Sequence, residues 1–225
     1  MQQENIRCIP VWSGWVRLTH WLIAFGVLFQ IVSAWAIQHG NVDYAFWRDW
    51  HMISGQLLLI SVVGRIILLF LLPGSGHWRA LLPDKAQWDG LLQMARFYLS
   101  FGKFPLPNWF AHNPFWRQLY PLLWLVLIAA CATGLVYNAP YTLAGLSMHS
   151  LHGNLAVLIS GFVILHVLAA FLHDLKGKGA AISGMINGLR YFHVAAAHKP
   201  PPETPFKGST PPVYVSVDSI KRNTP

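Results

Sequence analysis

Four histidines lie in long apolar stretches of this chain: His20, His51, His152 and His166. A neutral imidazole placed in hydrocarbon needs a partner for its ring nitrogens. His152 and His166 share one stretch and stand fourteen positions apart. On an α-helix that spacing is just under four turns, so both rings leave nearly the same face, about 21 Å apart along the axis. The separation covers much of the roughly 30 Å hydrocarbon thickness of a bilayer. His20 and His51 each come from an earlier stretch and are placed to face these two. The four together supply the donors for two irons, each held by two imidazoles from facing helices. Such a set reads as two b-type haems stacked across a membrane. With no C-x-x-C-H in the chain, covalent attachment is excluded and both haem b groups are expected to be non-covalent.

The elements that position these rings are legible from hydropathy. Of 225 residues, 54% are hydrophobic and only 11% charged, against about 25% charged in an ordinary soluble domain; the mean hydropathy is +0.41. Four segments are long and apolar enough to span a bilayer: Trp15–Ile37, Trp47–Leu72, Tyr120–Tyr137 and Leu151–Leu172. Trp12, Trp15, Trp47, Trp50, Trp116 and Trp124 cluster at their edges, as interfacial aromatics do. The fold class is an all-α membrane protein, a bundle of four transmembrane helices in the lipid bilayer. Of the sixteen Lys and Arg residues only Arg48 falls on one side; the others lie before the first span, near the second-to-third connection and after the fourth. The positive-inside rule therefore places both termini in the cytoplasm. It also accounts for the net charge of +8 without a nucleic-acid partner. Cys8 and Cys131, one in the opening tail and one mid-span, are not expected to form a disulfide. The opening MQQENIRCIP lacks the basic-then-apolar order of a cleavable signal.

With that topology, depth pairs the histidines. His20 and His166 fall at one height near the cytoplasmic side, and His51 and His152 at one height near the outer side. These four are the expected iron ligands, an inner pair and an outer pair. His149, one turn before His152, and His173, seven residues past His166, are the competing positions. His77, His112, His193 and His198 are read as solvated or interfacial side chains. Arg65 lies fourteen positions after His51 and Arg17 one turn before His20. Each guanidinium is either a partner for haem propionates or a boundary charge that snorkels to the surface. Gly55, one turn after His51, and Gly153 and Gly161 on the fourth span either admit a flat macrocycle or serve helix–helix contact.

Two further segments complete the outline. In the connection Pro73–Gln118, the residues Trp88, Leu91, Leu92, Ala95, Tyr98 and Leu99 recur at helical spacing. This predicts an interfacial amphipathic helix on the inner leaflet, or else a helix packed against the bundle. After Phe192 the chain turns polar and Pro-rich. The domain boundaries are thus 1–192 for the transmembrane di-haem domain and 193–225 for a disordered cytoplasmic tail.

Several stretches carry a family likeness: R-L-T-H-W at Arg17–Trp21, W-H-x-x-x-G at Trp50–Gly55, and A-H-N-P at Ala111–Pro114 followed by Tyr120. The His152/His166 spacing and the run H-D-L-K-G-K-G-A-A-I-S-G-M-I-N-G-L-R-Y-F at His173–Phe192 belong with them. Over residues 10–192 the chain resembles the di-haem cytochrome b subunits of membrane-bound nickel–iron hydrogenases, and more broadly the bacterial cytochrome b-561 class. That resemblance implies haem ligands at His20, His51, His152 and His166. It implies electron transfer between a periplasmic redox partner (a hydrogenase-like enzyme subunit or a cytochrome c) and the quinone pool, in the bacterial inner membrane. The Pro-rich tail departs from the pattern. Two other functions are open: a self-sufficient, quinone-linked cytochrome b561-type oxidoreductase, and a histidine-based metal or proton transporter. No acid–base or nucleophile constellation outside the histidines favours the first, and four spans without a carboxylate in the membrane interior speak against the second.

Overall fold

The computed structural model describes residues 5–40, 43–82, 85–107, 109–176 and 181–194. The Pro-rich tail from 195 onward lies outside them. The main body is Ile6–His193; a second unit, Met1–Asn5 with Val194–Pro225, has only Asn5 and Val194 among the described residues.

Four helices are long and apolar enough to cross a membrane: α1 (Gly14–His39), α2 (Tyr44–Leu71), α4 (Trp116–Leu135) and α5 (Met148–Lys176). The shortest, α4, has 20 residues, which at 1.5 Å each reaches about 30 Å. Polar side chains set where they start. The Ser13 hydroxyl accepts the Val16 N–H, and the Asp43 carboxylate accepts that of Phe46. Asn113 Oδ1 takes the N–H groups of Phe115 and Trp116 ahead of α4. Each supplies an acceptor to donors that the first turn of a helix leaves unsatisfied.

α1 packs along α2, α4 along α5, and α2 meets α4. A small core of Val27, Leu58, Val62, Leu127, Ala130 and Ile159 joins them. At Gly26 a Cβ would come within 3.1 Å of Leu58, so glycine is what lets α1 and α2 approach there. Elsewhere the helices turn large apolar side chains outward, Phe25, Trp35, Ile60, Leu125, Val157 and Leu168 among them. In water such a surface would be untenable; against lipid it costs nothing. The chain is a multi-pass membrane protein.

Connections divide the bundle into two ends. At the short-loop end, β2 (Thr142–Leu143) and β3 (Leu146–Ser147) form a two-residue hairpin with Thr142 opposite Ser147 and Leu143 opposite Leu146. Its turn residues Ala144 (φ 51°) and Gly145 (φ 78°) are both left-handed, as a right-twisted two-residue turn demands. The other, basic end carries β1 (Asn5–Pro10) paired with β4 (Leu189–Val194), two 3-10 turns at Gly74–Gly76 and Trp78–Leu81, α3 (Lys85–Leu99) and α6 (Ala181–Asn187). The opening strand and its pairing with 189–194 are structure that hydropathy did not indicate.

The expected amphipathic helix is α3, but its inward face differs from the anticipated one. Met94 and Phe97 are fully buried (0% exposed), while Trp88, Leu92 and Leu99 stand out from the surface. One face therefore packs on the bundle, and an apolar strip remains on the other. Apolar residues occur all round this helix, so periodicity alone did not select the buried side.

Candidate functional site

The four histidines come together as two pairs. His20 on α1 faces His166 on α5 near the basic end, with ring centres 6.4 Å apart. His51 on α2 faces His152 on α5 near the short-loop end, at 6.2 Å. With a metal–imidazole bond of about 2.0–2.1 Å, and about a further ångström from nitrogen to ring centre, two rings on opposite sides of one metal have centres roughly 6 Å apart. Both ring separations are therefore those of two imidazoles on one metal ion.

At the short-loop pair the ring orientations are fixed by hydrogen bonds. Ser33 Oγ is 2.7 Å from the Phe29 carbonyl and 3.2 Å from that of Gln30, so its one proton is committed to the backbone. It stands 2.8 Å from His51 Nδ1 and must therefore accept from it. His152 Nδ1 lies 2.9 Å from the Ala130 carbonyl, which can only accept. Both rings thus carry their proton on Nδ1 and leave the Nε2 lone pair free, the form in which imidazole binds a metal. Gln30 Nε2 ties the same turn of α2 through the His51 carbonyl and Ser54 Oγ, each at 2.8 Å. Gly134 is the close-approach glycine: a Cβ there would stand 3.1 Å from His152 Cε1. A Cβ on Gly55 would meet the Gln30 amide at 3.3 Å, while Gly153 and Gly161 have open space beside them.

Around the basic-end pair is a cavity of about 480 Å³, within the range of small-molecule and cofactor sites. Its wall includes Trp116, Trp124 and Phe162 beside the two rings. Arg65 also lines it, 6% exposed, with its guanidinium 5.3 Å from the Trp124 ring centre. Arg65 Nη1 is buried with no hydrogen-bond partner. A buried guanidinium without a carboxylate is costly, and this one faces a cavity large enough to hold an anion. Arg17 is placed differently: its Nη1 donates to the Ile186 carbonyl at 2.5 Å, tying α1 to α6.

The remaining histidines separate clearly. His149 is exposed and leans on Tyr137, with 4.6 Å between ring centres. His173 is buried and bonds Tyr98 Oη at 2.7 Å. Of the two alternatives the sequence leaves for His112, solvated or interfacial, the structure excludes the solvated one. His112 lies edge-on to Trp12 and donates from Nε2 to the Ser75 carbonyl. Burial, together with the charges of Arg65 and Arg117, holds it down to about 4 despite that carbonyl. Ser33, Ala130 and Gly134 were not identified from sequence; their roles depend on helix rotation, which hydropathy leaves undetermined.

Comparison with known proteins decides the family. Residues 11–188 match the prokaryotic cytochrome b561 family. The chain belongs to that family. Among its relatives, a protein of Cupriavidus necator named a probable Ni/Fe-hydrogenase B-type cytochrome subunit is 24% identical over 221 residues, covering 84% of this chain and 89% of the relative. Like-named proteins of Azotobacter vinelandii and Rhodobacter capsulatus are 26% and 24% identical, over 84% of this chain and 92% and 85% of theirs. Membership brings b-type haem and electron transfer with it. The residues fit that cofactor: paired imidazoles at metal-spanning distance, a cavity beside one pair, and in its wall a guanidinium whose Nη1 has no hydrogen bond among the described residues and which could meet an acidic haem substituent.

Proposed function

We propose that this protein is the membrane electron-transfer subunit of a larger redox assembly, with two b-type haems held by His20/His166 and His51/His152. The observation that carries this reading is the pair of ring separations, 6.4 and 6.2 Å, at opposite ends of one bundle. When bound, each haem supplies reversible one-electron chemistry. The chain contributes four neutral imidazoles, two of them fixed through Nδ1 by Ser33 and Ala130, and Arg65 as a cation toward the propionates of the basic-end haem.

The basic end is cytoplasmic by charge, which puts the short-loop end on the periplasmic side of a bacterial inner membrane. There Arg48 is paired with Asp49 at 2.9 Å. Among the described residues the outer surface consists of short loops, which suit a docked redox protein better than an enclosed substrate. The names of the relatives point to a nickel–iron hydrogenase. Quinone is the exchange partner within the membrane.

Affinity purification from native membranes in mild detergent, followed by haem quantitation and a dithionite-reduced spectrum, tests the proposal. Expected are two acid-acetone-extractable haems per chain, and a metalloenzyme partner in the same complex. One haem in a fully loaded preparation overturns the stoichiometry. Oxidation of a soluble substrate by the isolated chain favours the self-sufficient oxidoreductase.

A further inference from the structure

We infer that Ser33 is a positioning residue for His51 and sets the redox potential at the short-loop site below that which the two imidazoles would give alone. The inference rests on the ligand assignment proposed above. Ser33 sits on α1, 0% exposed, and reaches across to α2. Its hydroxyl proton points back to its own helix, toward the carbonyls of Phe29 and Gln30, and its lone pair receives His51 Nδ1–H at 2.8 Å. Serine in a helix reaches its i−4 carbonyl in just this way, so the direction of the bond follows from the helix itself.

Two consequences follow for His51. The ring is held in one tautomer and one rotation, with the Nε2 lone pair free and the ring centre 6.2 Å from that of His152. A donated Nδ1–H also raises the electron density on Nε2 and makes the ring a more basic ligand. A more basic ligand favours the oxidised, more positive iron, so the potential falls. His152 receives the same treatment from the Ala130 carbonyl, and Thr133 Oγ1 stands at 3.4 Å from the same nitrogen. Among the described residues, neither His20 nor His166 has a hydrogen bond to its ring. The two sites are therefore built differently: anchored ligands at the short-loop end, unanchored ones beside the Arg65 cation at the basic end. The His51 anchor is a side chain and can be removed by substitution, whereas the shorter of the two contacts to His152 Nδ1 is to a backbone carbonyl.

The experiment is a spectroscopically monitored redox titration of purified holoprotein, comparing wild type with Ser33→Ala, Ser33→Thr and His51→Ala. His51→Ala identifies which titration step belongs to the short-loop haem. If it leaves both haems in place, the ligand assignment fails. If it removes one, Ser33 is tested on its own. In Ser33→Ala that step is expected to shift toward reduction by several-fold to tenfold (about 59 mV for tenfold in a one-electron couple), with the other step unmoved. Ser33→Thr retains the hydroxyl and should titrate as wild type; Thr133 already makes the same backbone bond on α4, at 2.8 Å to the Ala129 carbonyl. An unshifted step in Ser33→Ala overturns the inference, and so does an equal shift in Ser33→Thr. Should Ser33→Ala lose the haem, retention at wild-type potential in Ser33→Thr supports the hydroxyl's role, and loss in both overturns it.

Discussion

Tyr98 and His173 lie 75 positions apart in the chain and meet at 2.7 Å, fastening α3 to the end of α5. The neighbours of Tyr98 Oη set the direction of this bond. Trp116 Nε1, which only donates, is 2.7 Å from Tyr98 Oη. Asn113 has its oxygen committed to the Phe115 and Trp116 N–H groups, so its nitrogen donates to the same Oη at 3.3 Å. With both lone pairs taken, the phenol proton goes to His173 Nε2. Burial pushes the Tyr98 hydroxyl up to about 12, against the pull of Trp116 and Asn113, so this proton stays in place at all physiological pH.

Tyr98→Phe removes the hub of that network: Trp116 Nε1 loses its partner, and Asn113 Nδ2 and His173 Nε2 keep only their mutual contact at 3.4 Å. Each such loss costs on the order of 1–3 kcal/mol where water cannot enter. Thermal unfolding in detergent should show a clear destabilisation, and limited proteolysis should open the 85–99 segment first. The two imidazole pairs lie on other helices, so haem content should be retained. A variant as stable and as protease-resistant as wild type would mean that α3 is held by Met94 and Phe97 alone.

The ligand assignment predicts a pattern of losses rather than a single loss. His20→Ala and His166→Ala should each remove the same haem, and His51→Ala and His152→Ala the other, as read from reduced spectra and haem quantitation. His149→Ala should retain both, because that ring is exposed and turned to Tyr137. If His149→Ala loses a haem while His152→Ala does not, the outer ligand is misassigned.

Much of this was legible in the residues, and what was not has a physical reason. The spans followed from hydropathy to within a turn or so at each end, since hydrocarbon tolerates only long apolar helices. The pairing of His20 with His166 and of His51 with His152 followed from depth, which a charge-derived topology fixes without knowledge of helix rotation. Contacts that do depend on rotation stayed hidden: Ser33 on His51, the Ala130 carbonyl on His152, the approach of Gly134, the inward face of α3. His112 and His173 were hidden for another reason. Both lie where the chain reads as loop or helix end, and only the fold covers them with Trp12, Trp109 and Tyr98.

His112 gives a pH-dependent expectation. Its pKa is lowered by burial from the ordinary 6.5 to about 4. Between those values the unfolded chain binds a proton that the folded chain does not, so stability falls as pH drops through this window. Above pH 6.5 the contribution is fully present, and below 4 it is fully lost. His112→Gln keeps a donor for the Ser75 carbonyl but cannot titrate. Unfolding in detergent should therefore depend less on pH between 6.5 and 4 in this variant than in wild type. Parallel pH profiles would show that His112 charges freely in the folded protein.

Arg65 carries the last expectation. It is a buried cation of the basic-end cavity, its Nη1 without a hydrogen bond, held against the Trp124 ring. Reduction of a nearby haem adds a negative charge, which a fixed cation stabilises, so Arg65 should raise the potential of the haem proposed between His20 and His166. Arg65→Leu should lower that potential, by about 59 mV if the equilibrium moves tenfold, and leave the short-loop haem unmoved. Arg65→Lys retains the charge but not the planar fork that can engage a carboxylate through two bonds, so its shift should be smaller and in the same direction. The two potentials can be followed separately in one titration, because His51→Ala assigns the short-loop step. If Arg65→Leu leaves both steps where they were, the guanidinium is a boundary charge resting on Trp124, and the cation facing the propionates must be sought elsewhere in the cavity wall, where Arg190 is the next buried candidate.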